Sequence, residues 1–100
     1  MGNKDRTSIT EEMRRLFPEL REKYGVSKLW LFGSFARDEA RVDSDVDVLV
    51  EFSQPGMSLF RFVEMEMYMS ERLGVRVDLV TRPALKDSMR DSVLNEAIAV

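Results

Sequence analysis

Gly33 and Ser34, ten intervening residues, and then Asp45-Val46-Asp47 form a compact turn followed by two carboxylates. The stretch G-S-F-A-R-D-E-A-R-V-D-S-D-V-D follows one apolar run, Leu29-Trp30-Leu31-Phe32, and leads into another, Val46-Asp47-Val48-Leu49-Val50. Side chains on a strand alternate faces, so Asp45 and Asp47 point the same way. Like charges held side by side raise each other's pKa unless a cation sits between them. A divalent metal is the simplest such cation, and oxygen-only ligands favour a hard one such as Mg²⁺. Asp78 is a third acid, isolated among apolar and basic residues. If its strand lies beside that of Asp47, three carboxylates could hold two divalent cations about 3.5–4 Å apart, the arrangement that clamps both oxygens in phosphoryl transfer. Gly33 lets backbone amides approach a phosphate, Ser34 adds a hydroxyl, and a short helix behind them would aim its positive end at the same place. Together these groups suit a nucleoside triphosphate carrying Mg²⁺.

Composition narrows the chemistry. The chain has 100 residues, no Cys and no His, which excludes thiol chemistry, disulfides, structural zinc and histidine acid–base catalysis. A net charge of −3 gives no overall attraction to nucleic acid, and no basic–aromatic stripe is visible to track its backbone. With 44% hydrophobic and 33% charged residues, one globular domain spanning 1–100 is expected, with residues 1–7 frayed. No apolar core follows Met1-Gly2-Asn3-Lys4-Asp5-Arg6, and no stretch approaches the length of a membrane span; a cytoplasmic protein is expected.

Several elements must position these groups. Ser8-Ile9-Thr10-Glu11 fits a capping box, and Met13, Leu16, Phe17, Leu20 and Tyr24 follow at helical spacing until Gly25, with a kink or restart expected at Pro18. Strands are expected over about 28–32, 46–52 and 76–81, the last with Val75, Val77 and Leu79 on one face and Asp78 on the other. A short helix should start after Ser34, possible cap of that helix. Ser53-Gln54-Pro55-Gly56 reads as a turn, followed by a helix over about 58–73 that Gly74 stops. Pro83 should open a last helix, with Leu85, Met89, Val93 and Ala97 as its apolar stripe. This order gives an α/β or α+β protein, a sheet of three or more strands packed with helices.

Gly33-Ser34, ten residues, then Asp45-Val46-Asp47 also matches the G-S-x₁₀-D-x-D signature of the DNA polymerase β-like nucleotidyltransferases. The surrounding L-F-G-S-F-A-R, S-D-V-D-V-L-V-E-F and L-G-V-R-V-D-L-V-T resemble the minimal nucleotidyltransferase (MNT) antitoxins, over about residues 24–97. The resemblance implies a small mixed sheet of the nucleotidyltransferase fold. It implies that Asp45 and Asp47 bridge two Mg²⁺ ions and that Asp78 binds the catalytic one and helps take the proton of the attacking hydroxyl. Gly33 and Ser34 would hold the β- and γ-phosphates of ATP. Family members transfer AMP from ATP to a tyrosine of a HEPN-type toxin, an all-α ribonuclease, and silence it. One departure stands out: where the family reads A-R-G, this chain has Ala36-Arg37-Asp38. Asp is among the better substitutes if that position is left-handed, but it adds negative charge.

Other polar residues have plainer readings. Arg37 could assist the triphosphate, though a surface pair with Glu39 or Asp38 is the expected role. Asp43 and Ser44 read as turn formers, with Ser44 close enough to the acids to support them. Asp38, Glu39 and Arg41 read as solvated loop charge. Glu51 shares the face of Asp47 but lies about 13 Å further along the strand, too far to join it. On the helix 58–73, Leu59, Phe62, Val63, Met69 and Leu73 suffice for a core face. Phe60, Met65, Met67 and Tyr68 widen it, either for tighter burial or as an adhesive surface for a helical partner or another copy. Glu66 falls inside the core arc, where only a hydrogen bond would explain it. The leading expectation is a Mg²⁺-dependent protein adenylyltransferase and antitoxin. Its rivals are a degenerate transferase that neutralises its partner by binding alone, and a small-molecule adenylyltransferase.

Overall fold

The computed structural model describes residues 5–41, 43–81 and 95–100. Helix α1 (Arg6–Tyr24) buries Ile9, Met13, Leu16, Leu20 and Tyr24, a stripe repeating every three to four residues. Its cap is Asp5, not Ser8. The Asp5 carboxylate accepts the Ser8 amide at 2.8 Å, and the Ser8 hydroxyl in turn faces the Asp5 amide at 3.0 Å. This reciprocal box starts the helix before the expected one at Ser8–Glu11, with Asp5 as its cap and Arg6 and Thr7 in its first turn. Pro18 brings no restart: it and Arg14, whose carbonyl loses its partner, are both on the solvent side, where water can serve that carbonyl.

Strand β1 (Val26–Phe32) starts two residues earlier than expected and leads directly into the short helix α2 (Gly33–Ala36). Strand β2 (Val46–Phe52) returns antiparallel to β1, pairing Phe32 with Asp47 and Leu31 with Val48. Helix α3 (Leu59–Leu73) is capped by the Ser58 hydroxyl on the Arg61 amide at 3.1 Å and ends at Gly74. It crosses over to β3 (Val77–Thr81), which lies parallel to β2. A two-residue strand, β4 (Ile98–Ala99), pairs antiparallel with β1 through Leu31 and Trp30. The sheet order is β3-β2-β1-β4, a mixed sheet with helices packed on it, as expected in kind but with one more strand than the sequence revealed.

Val46, Val48 and Val50 turn one face of β2 into the main core, with Met13, Leu16 and Leu20 of α1 and Met65, Met69 and Leu73 of α3. On the opposite face Phe32 and Leu49 pack with Trp30, Val80 and Ala97. Of the last expected helix, Pro83, Leu85, Met89 and Val93 lie outside the described residues. Ala97 is not helical: it leads into β4 and packs on the second face of the sheet. Along α3, Met65 is fully buried and Tyr68 half-buried, but Phe60 is 91% exposed and Met67 and Leu59 also face solvent. The wider apolar surface of α3 is thus only partly accounted for by burial. Leu59 and Val63, both expected in the core, are exposed instead, because α3 meets the sheet through the Met65–Met69–Leu73 line.

Candidate functional site

Asp47 is the second residue of β2 and Asp78 the second of β3, and the parallel register sets them directly side by side. Asp45 immediately precedes β2 and is half-buried, like Asp47, while Asp78 is exposed. Val77 and Leu79 are buried and Asp78 points out between them, as the alternation requires. The three carboxylates act on one another: burial first, then the charge of Asp78, then that of Asp45, push the Asp47 carboxyl up to about 6, with Arg37 opposing. The condition on which the expected site depended, Asp78 on the same side of neighbouring strands, is met.

Gly33 closes the site from the β1 side. Phe32 pairs with Asp47, so the turn after Phe32 passes close beside that carboxylate. The backbone of Gly33 is left-handed, with φ of 75°. A Cβ there would lie 2.9 Å from Asp47 Cγ and closer still to a carboxylate oxygen. Only glycine meets both demands. Ser34 is not the cap of α2. Phe32 holds that position and no side chain caps the helix, so the hydroxyl of Ser34 sits inside the first turn. Its carbonyl accepts the Glu39 amide at 2.8 Å, which folds the following loop back on α2.

The loop matches its expected roles closely. Asp38 is the one non-glycine residue with positive φ, 60°, among the described residues, so the place where the family has glycine does call for a left-handed backbone. Arg37 pairs with Glu39 at 2.8 Å and with Glu96 at 3.1 Å, not with Asp38, and both hydrogen bonds raise its pKa. Glu96 anchors the loop from the C-terminal segment, a contact that nothing local in the sequence signals. Ser44 exchanges hydrogen bonds with Arg41, the Arg41 amide donating to its hydroxyl at 2.8 Å and its own amide to the Arg41 carbonyl at 3.0 Å. Its support for Asp45 is therefore the turn it builds. Glu51 pairs across from Lys28, well along β2, with one carboxylate oxygen buried and without a hydrogen-bond partner.

Sequence reasoning left Glu66 unexplained. Its carboxylate accepts the Leu79 amide at 2.9 Å, and Ser70, one turn later, accepts the Val77 amide at 2.9 Å. Both residues face the outer edge of β3, a placement that depends on the helix–strand packing.

Among the described residues, no three acids already close into a finished metal cage. The donor chemistry nevertheless fits a hard divalent cation: all-oxygen ligands, with a half-buried central carboxylate raised to about 6 by burial and then by two like charges, whose repulsion a cation would relieve.

The family model of the nucleotidyltransferase domain matches residues 13–100. The chain belongs to the nucleotidyltransferase domain family. It is 48% identical, over 82% of each chain, to the protein adenylyltransferase MntA of Thermococcus cleftensis. Among solved structures, a candidate minimal nucleotidyltransferase covers 100% of both chains with a TM-score of 0.83 at 34% identity. The MNT antitoxin fold also recurs in a complex with a tri-AMPylated HEPN toxin of Shewanella oneidensis, with a TM-score of 0.66 at 17% identity over 91% of this chain and 70% of that one. This nucleotidyltransferase thus has the mixed-sheet fold expected from its motif. Among its described residues no helix is long and apolar enough to cross a membrane.

Proposed function

We propose that this chain uses ATP to adenylylate a tyrosine of a partner HEPN-type toxin, an all-α ribonuclease, and so acts as the antitoxin of the pair. The observation that carries this reading is the in-register placement of Asp47 and Asp78 on parallel neighbouring strands, with Gly33 against Asp47. The 48% identity to an adenylyltransferase adds the transferred group. The toxin partner rests on the resemblance to MNT antitoxins.

Asp45, Asp47 and Asp78 would hold two Mg²⁺ ions. Bound there, the ions would neutralise the phosphates and lower the pKa of the attacking hydroxyl. Gly33 and Ser34 would hold the β- and γ-phosphates, leaving the α-phosphorus open to the acceptor. Asp78, the most exposed of the three, would help take up the hydroxyl proton. The acceptor oxygen then forms a bond to the α-phosphorus as the bond to pyrophosphate breaks. ATP as substrate, an acidic chain without cysteine and a protein acceptor together favour a cytoplasmic setting without direct nucleic-acid contact.

Incubation with labelled ATP, Mg²⁺ and the toxin encoded beside it should label the toxin. Continued labelling by an Asp45→Asn/Asp47→Asn double variant would refute the assigned site. The left-handed Asp38 in place of the family's glycine keeps a second reading in play, neutralisation by binding alone. In that case the double variant, although unable to label, still protects cells.

A further inference from the structure

Among the described residues β3 is an edge strand of the sheet, and its outward backbone groups need partners. In a parallel pair, alternate residues turn both their amide and carbonyl toward the neighbour. The Val46 amide donates to the Arg76 carbonyl at 2.8 Å, so Arg76 and, two residues on, Asp78 face β2. Val77 and Leu79 then face outward, and these are the two amides that α3 takes: Val77 by the Ser70 hydroxyl and Leu79 by the Glu66 carboxylate, both at 2.9 Å. The Ser70 hydroxyl also donates to the Glu66 carbonyl at 2.9 Å, which ties the two receptors together. Four helical residues rise about 6 Å and two strand residues about 6.6 Å, so acceptors one turn apart fit amides two residues apart.

We propose that Glu66 and Ser70 are positioning residues for Asp78, gripping the amides on either side of it so that its carboxylate is held toward Asp47. The proposal rests on the reading of Asp78 as a metal ligand. Neither residue touches nucleotide or metal; they act by fixing the strand that carries the ligand. An ordinary edge-capping role would cost stability only. A positioning role must also change how tightly the acids take up a cation, as outer groups that orient metal ligands do.

The test is Mn²⁺ binding to the full-length protein with a non-hydrolysable ATP analogue, read by water-proton relaxation, alongside urea unfolding. Glu66→Ala should weaken Mn²⁺ binding by about tenfold while remaining folded. Glu66→Gln keeps an oxygen that accepts the Leu79 amide and should restore binding to within about twofold of the wild type. A folded Glu66→Ala that binds Mn²⁺ like the wild type overturns the proposal, as does a Glu66→Gln that is just as weak. If Glu66→Ala does not fold, Ser70→Ala carries the test, with weaker binding expected and wild-type affinity as the refuting result. Asp78→Asn separates the two levels. Wild-type Mn²⁺ affinity in that variant removes the ligand reading itself, whereas weak binding there with none lost in Glu66→Ala removes only the positioning role.

Discussion

Gly33 and Asp47 occupy adjoining space so tightly that a single methyl on residue 33 would overlap the carboxylate. The contact follows from the hairpin register, in which Phe32 faces Asp47 and the next residue must turn sharply at positive φ. Gly33→Ala should therefore lose about 1–3 kcal/mol of stability, from backbone strain and a displaced side chain. It should also lose affinity for Mg²⁺–ATP. Urea unfolding and calorimetric titration with a non-hydrolysable analogue check both, and a variant unchanged in both would contradict the close approach.

Asp47 is a residue whose proposed role as a charged ligand opposes the stability of the metal-free fold. Its carboxyl is raised to about 6 in the fold against 3.8 as a free group, so the folded metal-free protein binds the proton more tightly than the unfolded chain. The favourable contribution is complete below about pH 4 and is lost as pH rises through about 6. Asp47→Asn should thus stabilise the metal-free protein at pH 7, by on the order of 1 kcal/mol once the partial exposure of the group is discounted. Paired unfolding curves of variant and wild type in EDTA, from pH 4 to 8, should diverge with rising pH. Curves that run parallel would show that the Asp47 charge is not destabilised by burial and its like-charged neighbours.

Adding Mg²⁺ should reverse that ranking. A cation between the carboxylates favours their charged forms, so the wild type should gain thermal stability with Mg²⁺ concentration. Asp45→Asn/Asp47→Asn should gain little, and chelation should return the wild type to its starting midpoint. Scanning calorimetry across a Mg²⁺ series makes the comparison.

Asp38 offers a gain of stability with no loss of contacts. Its φ of 60° is costly for any residue with a side chain, and glycine removes that cost. Asp38→Gly should stabilise the fold by up to about 1 kcal/mol, measured by urea unfolding. If the lost negative charge also matters to phosphate binding, the ATP analogue will bind more tightly.

The site motif was legible because its spacing encodes local geometry. A strand, a glycine turn and an alternating pair of acids can be read from neighbouring residues alone. Asp78 could be singled out by its isolation on an apolar strand, yet its place beside Asp47 depended on strand order, which only the crossover through α3 decides. Glu66 looked anomalous for the same reason: its partner is an amide thirteen residues away that becomes a neighbour only when α3 covers the sheet edge. Strand β4 has two residues, too few to show any alternation. At the start of α1 two overlapping capping boxes competed, and the one with a carboxylate acceptor prevailed. Phe60 and Met67 read as apolar, but which apolar residues a helix buries is settled by where it meets the sheet.

The parallel pairing of β2 with β3 has a temporal consequence as well. A hairpin such as β1–β2 can close within a short span of chain, whereas β3 must await the whole of α3 before it can dock. During synthesis Gly33, Asp45 and Asp47 emerge before Asp78, which follows them by the length of α3. The cluster of Asp45, Asp47 and Asp78 is therefore completed last, when α3 has formed and carried β3 into the sheet.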